Sequence, residues 1–416
     1  MTTADSANQK LYDANFLLTM LVACVGTGSW LMLLHFGRVI RFLGGDEFTI
    51  GLILCFAALM VLPLWPVVSA LLDRLGFTYV WMVGLLLLGA SLAAWTFDLG
   101  LGWQAYLARG FAALGWAFNM VAISTYAARI APADRQSEAI GTMGIGGFVG
   151  ALGGAILGNH LLGPEATRTL DHCRSLIQVS AGLAICAASL TLFLRKFPRF
   201  TGPEAPSLRN PWRQIARHKA GWVMLIPLAM SLCFIAHGTF VGLMADERNL
   251  RVDFYFIAFS LSAIFFRIVG RRLPSIIGET RLATIGLLLY NSAWLVMPLM
   301  PPGAGWWLLL PGIIAGTGHS LLFPCAIHLV AIQLGPRQRT LGTTLAVGTA
   351  ESGVGLGGPI FGYIARQSSS LPLSFVAIGL TAVGIGLIGI EAARRRLQTP
   401  ELANVSQADL RVAPAE

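Results

Sequence analysis

Charge is scarce in this chain. Only 12% of its 416 residues are Asp, Glu, Lys or Arg, and the acids number 20, against roughly 25% charged residues in ordinary soluble domains. Since 55% of the residues are hydrophobic and the mean hydropathy is +0.69, a water-soluble fold would have no interior large enough for the apolar surface. The formal net charge of +9 does not point to nucleic acid, because the basic residues fall in short segments between apolar runs and form no single basic face.

Thiol and hydrolytic chemistry are missing too. Cys24, Cys55, Cys173, Cys186, Cys233 and Cys325 show no CxxC or Cys/His spacing, and five of them lie inside apolar stretches, so neither a disulfide framework nor a zinc site is expected. There is no Walker loop, GxSxG or HExxH, which removes support for an ATP-driven pump or a hydrolase. Gly353, Gly355 and Gly358 satisfy GxGxxG, yet no strand precedes them and they lie within an apolar run, so nucleotide binding is rejected. No cofactor, no metal and no enzymatic activity are expected. The N-terminal stretch up to Asn15 is polar and lacks a small-residue cleavage site, so the first apolar run is expected to stay in the membrane.

Long apolar runs are what the chain does have. With about 20 residues per spanning helix, they predict twelve spans: 15–36, 48–72, 79–97, 102–127, 138–161, 174–195, 220–243, 253–272, 280–300, 304–333, 341–366 and 372–391. Pro63, Pro66, Pro227, Pro298, Pro311, Pro324 and Pro359 fall inside them and are expected to kink the helices without ending them. The one long hydrophilic interruption carries Arg195, Lys196, Arg199, Arg209, Arg213, Arg217 and Lys219 against the single acid Glu204. With the N-terminus inside, about 20 Lys and Arg fall on the cytoplasmic side and about seven outside, so both termini are expected in the cytoplasm.

The expected fold class is therefore an all-α membrane protein with 12 transmembrane helices in two pseudo-symmetric six-helix bundles. Its parts are an N-terminal tail (1–14), a first bundle (15–195), a basic cytoplasmic linker (196–219), a second bundle (220–391) and a C-terminal tail (392–416). The halves echo each other. Pro132-Ala-Asp-Arg135 precedes a span with Gly146, Gly150, Gly154 and Gly158 on one face; Pro336-Arg-Gln-Arg339 precedes a span with Gly358 and Gly362. Such spacing lets backbones approach closely, either for tight packing or at a moving interface.

Several segments resemble the major facilitator superfamily, and the similarity runs from about Asn15 to Ala393. Asp73-Arg74-Leu-Gly76 after the second span is similar to the family's Asp-Arg-x-Gly turn, without its leading Gly and trailing basic residues, and Arg267 to Ser275 resembles the equivalent turn of the second half. Arg109 followed by Gly115 resembles the intramembrane Arg motif, with Ala113 in place of the first Gly. Gly154 stands where the proton-antiporter signature has Pro. Gly238-Thr-Phe240, Gly316-Thr-Gly-His319, Phe323-Pro324 and Ala350-Glu351-Ser-Gly353 resemble small twelve-span efflux permeases of the arabinose-efflux or multidrug-like kind. The resemblance implies alternating access, in a monomer, about a midplane site.

Polar groups at membrane depth are costly and invite a reason. Glu351, about ten residues into its span, is the deepest acid; it suits a group that takes and releases a proton, or else ties the bundle together. Arg109 is a candidate for substrate binding or coupling, or a structural cap on carbonyls. His237 and His319 are further candidates for proton sensing or substrate contact, alternatively satisfied core histidines. Asn119 and Asn291 are candidate cavity hydrogen-bonders or interhelical contacts. Tyr290 is grouped with them. Asp73, Arg74 and Arg135 are expected to form a gate or latch.

These readings converge on an inner-membrane, multi-pass secondary transporter of a small-molecule substrate. Its expected partners are the lipid bilayer and the proton as coupling ion, with no nucleic acid. Proton-coupled efflux is the preferred form. An uptake symporter or uniporter is the rival on the same fold, and a non-transporting membrane sensor or assembly protein is the rival of another class. If Arg109 faces the cavity, its charge favours anionic or carboxylate-bearing substrates such as organic acids or siderophores.

Overall fold

A computed structural model describes residues 12–130, 136–195, 219–303, 305–334 and 339–398. The described residues form helices and contain no strand. The helices of the first half are α1 (Ala14–Met32), α2 (Phe36–Phe42), α3 (Glu47–Val61), α4 (Trp65–Leu75), α5 (Phe77–Trp95), α6 (Trp103–Ile130), α7 (Gln136–Leu162) and α8 (Leu170–Leu190). The second half comprises α9 (Leu225–Ile235), α10 (Val241–Glu247), α11 (Val252–Val269), α12 (Leu273–Ile277), α13 (Glu279–Val296), α14 (Leu309–Ala331), α15 (Arg339–Ser368) and α16 (Leu371–Leu397).

Local chemistry explains where several of them begin. Asp13 caps α1 by accepting from the Phe16 N–H at 2.7 Å, and Asp46 caps α3 by accepting from the Thr49 N–H at 2.8 Å and its hydroxyl at 2.6 Å. At α8, Thr169 and His172 form a reciprocal capping box. Two turns demand glycine. Gly76 at φ 98° separates α4 from α5, and Gly278 at φ 88° separates α12 from α13, a conformation that a Cβ would strain. Both follow a short helix that opens with Pro in its first turn, so the resemblance of the two turns seen in sequence is also a likeness of backbone.

Eleven helices among the described residues are long and apolar enough to cross a membrane, one fewer than the twelve expected. The predicted span 341–366 accounts for the difference. Its helix, α15, is 30 residues long but holds seven glycines, four threonines and Glu351, a composition that lowers its hydropathy below that of its neighbours. Prolines depart from expectation at two places. Pro63 lies in a 3₁₀ turn, Leu62–Leu64, that separates α3 from α4, and Pro298 lies in one that closes the α13 segment; each removes a backbone donor and ends the α-helical ladder. Pro324 and Pro359 remain inside α14 and α15 as anticipated.

Within the first half α1 packs on α7 and α8, α5 on α6 and α8, and α3 on α6. In the second half α9 packs on α15 and α16, α11 on α14, and α13 on α14 and α16. The halves meet most extensively where α3 faces α15 and α7 faces α11, with smaller contacts of α4 on α15 and of α2 on α10. The segment Leu225–Glu247 is the most enclosed of the eleven, with 89% of its apolar window buried, and a π-helical stretch, Ala236–Phe240, interrupts it. Such bulges are frequent at functional sites.

Candidate functional site

Close approach of α3 and α15 builds the site. Down their interface Gly362 meets the Glu47 carbonyl, Gly358 meets Gly51, Gly355 meets Ala58 and Gly348 meets the Trp65 ring, and a Cβ at any of these glycines would press on the facing helix. The intervals of three, four and seven residues put these glycines on one helical face. Glu351 stands three residues beyond Gly348 and four before Gly355, on that same stripe, so the packing that brings the backbones together also carries the carboxyl inward.

A cavity of about 380 Å³, counting its mouth, opens beside this interface. From α3 come Leu54, Ala57, Ala58 and Val61, at the i, i+3, i+4 and i+7 spacing of one helical face. Trp30 of α1, Trp65 at the start of α4, Arg109 and Ala113 of α6, and Glu351 and Val354 of α15 complete the lining. The guanidinium carbon of Arg109 lies 4.1 Å from the centre of the Trp30 ring and 5.5 Å from that of Phe36, within cation–π range. Trp30 in turn stacks on Trp116 with ring centres 5.1 Å apart and planes 5° from parallel. Trp116, one helical turn beyond Ala113, donates its indole N–H to Glu351, and Glu351 interacts electrostatically with Arg109. Cation, two indoles and carboxyl thus form one connected group.

The cavity has donors to spare. Arg109 is 8% exposed and Trp65 1% exposed, and Arg109 Nε and Nη1 and Trp65 Nε1 have no hydrogen-bond partner among the described residues. Buried donors beside a cavity suit an acceptor-bearing guest that reaches them, because an unfilled donor is expensive to bury.

The other sequence candidates lie elsewhere. His237 sits in the π-helical stretch, where its Nδ1 pairs with the Tyr255 hydroxyl at 2.9 Å and its ring lies 4.1 Å from that of Phe259. His319 stacks on Phe323 and packs edge-on against Phe148, so an aromatic cluster joins α7, α9, α11 and α14. Its Nδ1 and the Tyr290 hydroxyl are buried without a partner among the described residues. Arg267 lies over Phe148 and Phe323 at 5.0 and 5.6 Å. Asn119 accepts from the Trp81 indole at 2.8 Å between α6 and α5, and Asn291 accepts from the Cys233 thiol at 2.8 Å between α13 and α9; both stand in helix packing and neither lines the cavity. Arg74 is exposed in the last turn of α4. Arg135 and the side chain of Asp73 lie outside the described residues.

A second polar group has no counterpart among the sequence candidates. Arg38 of α2 holds Asp246 of α10 with two bonds, Nε to Oδ2 at 2.8 Å and Nη2 to Oδ1 at 2.6 Å, while its Nη1 donates to Asn159 of α7 at 2.6 Å. Arg168, in the connection before α8, reaches the same carboxylate at 3.0 Å. The three charged side chains are 4%, 8% and 2% exposed, so this is a buried clasp between the two halves of the chain. Arg41 adds pairs to Glu47 and, at 2.8 Å, to Glu247. Arg38, Arg41 and Arg168 fall between predicted spans, where the sequence marks them only as loop charges. Neither they nor Trp30, Trp65 and Trp116 stand in any recognisable spacing, although a tryptophan in the middle of a span is unusual enough to notice, since this residue favours membrane interfaces.

The family model described as Major Facilitator Superfamily matches residues 15–358. No curated protein matches the chain. Among solved structures, a mutant of the nucleoside transporter NupG is 13% identical with a TM-score of 0.71, over 92% of this chain and 99% of that one. A bacterial homologue of the human lysosomal transporter Spinster, inward-facing and unoccupied, is 16% identical with a TM-score of 0.71, over 93% and 98%. The transporter FucP in its outward conformation is 15% identical with a TM-score of 0.62, over 94% and 100%. At such identities the likeness is one of fold.

Proposed function

Because the chain belongs to the major facilitator superfamily, we propose that it is a secondary transporter moving a small organic molecule by alternating access, with the proton as coupling ion. In this reading residues 15–195 and 220–391 are two six-helix bundles joined by the basic segment 196–219. The helix α15 supplies the twelfth span: at 30 residues it is about 45 Å long, enough for a hydrocarbon core of about 30 Å. The distribution of Lys and Arg supports cytoplasmic termini, an even span count and an inner-membrane location. A monomer suffices, since the cavity draws on one chain.

The observation that carries the coupling is the shared cavity of Arg109 and Glu351. Arg109 keeps its charge at any physiological pH. Glu351 is the group beside it that can gain and lose a proton. When Glu351 is ionised it competes with an anionic guest for the guanidinium; when it is protonated the guanidinium is free. Proton and anion therefore bind best together, an arrangement that favours symport over the antiport preferred from sequence. Sidedness then depends on the gradients imposed, and an inward proton gradient draws the guest inward.

A melting-shift screen of the purified protein against metabolites, drugs and siderophores identifies a binder. That compound is then added to proteoliposomes with a pH dye in the lumen. Acidification of the lumen as the compound enters, beyond protein-free controls, is the expected result; alkalinisation on entry points to exchange and contradicts the symport assignment.

A further inference from the structure

We infer that the guest of the Arg109–Glu351 cavity is a small monocarboxylate with an apolar body and no hydroxyl groups. This rests on the reading of that cavity as the transport site. Among the described residues its lining offers no Ser, Thr, Asn, Gln, Asp or His. Six of its residues, Leu54, Ala57, Ala58, Val61, Ala113 and Val354, have purely aliphatic side chains.

The polar capacity of the site is equally one-sided. Arg109 Nε and Nη1 and Trp65 Nε1 are donors without partners among the described residues, and a carboxylate is the compact group that accepts from several donors while matching the charge of a guanidinium. Glu351, with the Trp116 indole already on it, is the lone acidic acceptor among the described lining residues.

Each competing class of guest fails on a named contact. A sugar or nucleoside brings several hydroxyls to an aliphatic wall, and each hydroxyl without a partner weakens binding by about tenfold. A dicarboxylate places a second anion against alanines, or beside Glu351, with no second cation among the described lining residues. An amine pairs with Glu351 but leaves the donors of Arg109 and Trp65 empty and sets a like charge beside the guanidinium. A siderophore brings many polar groups into a space of about 380 Å³ that already includes its mouth. A monocarboxylate with an aliphatic or aryl body leaves no group unmatched: its oxygens meet Arg109 and Trp65, and its hydrocarbon meets α3 and Val354.

The test is calorimetric titration of the full-length protein in detergent with benzoate and isovalerate, their amides benzamide and isovaleramide, and the polyhydroxylated gluconate and uridine. The acids are expected to bind at least about tenfold more tightly than their amides, and gluconate and uridine to be weaker still. Trp65→Phe, which keeps the ring and removes the donor, is expected to weaken the acids by about tenfold while leaving the amides within about threefold. Its melting temperature guards against a folding defect. Gluconate or uridine binding as tightly as the acids overturns the assignment, and so does the failure of both acids to bind.

Transport separates this inference from the reading beneath it. If the acids bind but show no pH-driven movement in proteoliposomes beyond protein-free controls, the transport reading fails and the cavity assignment stands. If instead a polyhydroxylated or cationic compound binds and moves with protons, the assignment fails and the transport reading stands.

Discussion

Glu351 has the Trp116 indole on its carboxyl and Arg109 within electrostatic reach. Substituting Gln preserves its size and an acceptor oxygen but removes the titration. Glu351→Gln is therefore expected to lose accumulation driven by a pH gradient while still exchanging labelled for unlabelled guest across the membrane. Loss of both activities in a folded variant would make Glu351 a guest-binding residue and not the proton carrier. Arg109 tests a different property. A lysine keeps the charge but cannot lie as a planar fork over Trp30, so Arg109→Lys is expected to weaken guest binding by about tenfold, read by titration. Both residues were legible in sequence because an ion inside an apolar run is expensive and therefore conspicuous. Trp30, Trp65 and Trp116 were not, since an indole costs little in such a run and its partners lie far away in the chain.

At the scale of helices, the glycine spacing had indicated close approach, and two interfaces have it. On α7, Gly150 lies under the Cys24 carbonyl of α1 and Gly154 under that of Gly28; on α15, Gly358 faces Gly51 of α3. Gly358→Val is expected to push α15 from α3, move Glu351 out of the cavity and abolish guest binding, while the protein still inserts into the membrane; titration of the variant in detergent reads this. The two small-residue helices were legible, whereas the pairing of α15 with α3 was not, because periodicity describes one face of a helix and not what meets it.

Helix ends can be tested in the same way. The hydroxyl and backbone N–H of Thr49 hold the Asp46 carboxyl below its usual range. A depressed carboxylate contributes its stability above the value it has in the unfolded chain, and that contribution is lost as pH falls through the lower folded value. Asp46→Ala is expected to cost about 1 kcal/mol at neutral pH, visible as a lower melting temperature, whereas Asp46→Asn retains most of the cap. The difference between wild type and Asp46→Ala should shrink in strong acid, and an undiminished difference there would contradict a charged cap.

For the molecule as a whole, the decisive contacts join residues far apart in the chain. Arg38 and Asp246 are 208 positions apart, and no spacing rule reaches that distance, so the clasp between the halves had to be seen in three dimensions. The membrane class, the basic central break and the doubled turns were legible because they are patterns of composition and local order. A twelfth span is expected from length, but eleven helices among the described residues are apolar enough to cross, and the glycine and threonine of α15 lower the apolar signal by which a span is recognised. Removing one partner from a buried charge pair costs about 3–5 kcal/mol. Asp246→Ala leaves both Arg38 and Arg168 buried without their carboxylate and is expected to cost a comparable amount. It should also raise the labelling of a cysteine placed near Asn159, as the halves part on that side. Unchanged labelling would mean that the clasp stabilises the fold without holding the halves together.

The most direct test of the account is proton-coupled uptake in proteoliposomes, comparing the wild type with Glu351→Gln for a ligand found by melting shift. With the lumen more alkaline than the medium, the wild type is expected to accumulate the ligand beyond protein-free liposomes and to acidify the lumen, while Glu351→Gln does neither yet still exchanges ligand at equal pH. Accumulation by Glu351→Gln equal to that of the wild type would contradict the assignment of Glu351 as the proton carrier.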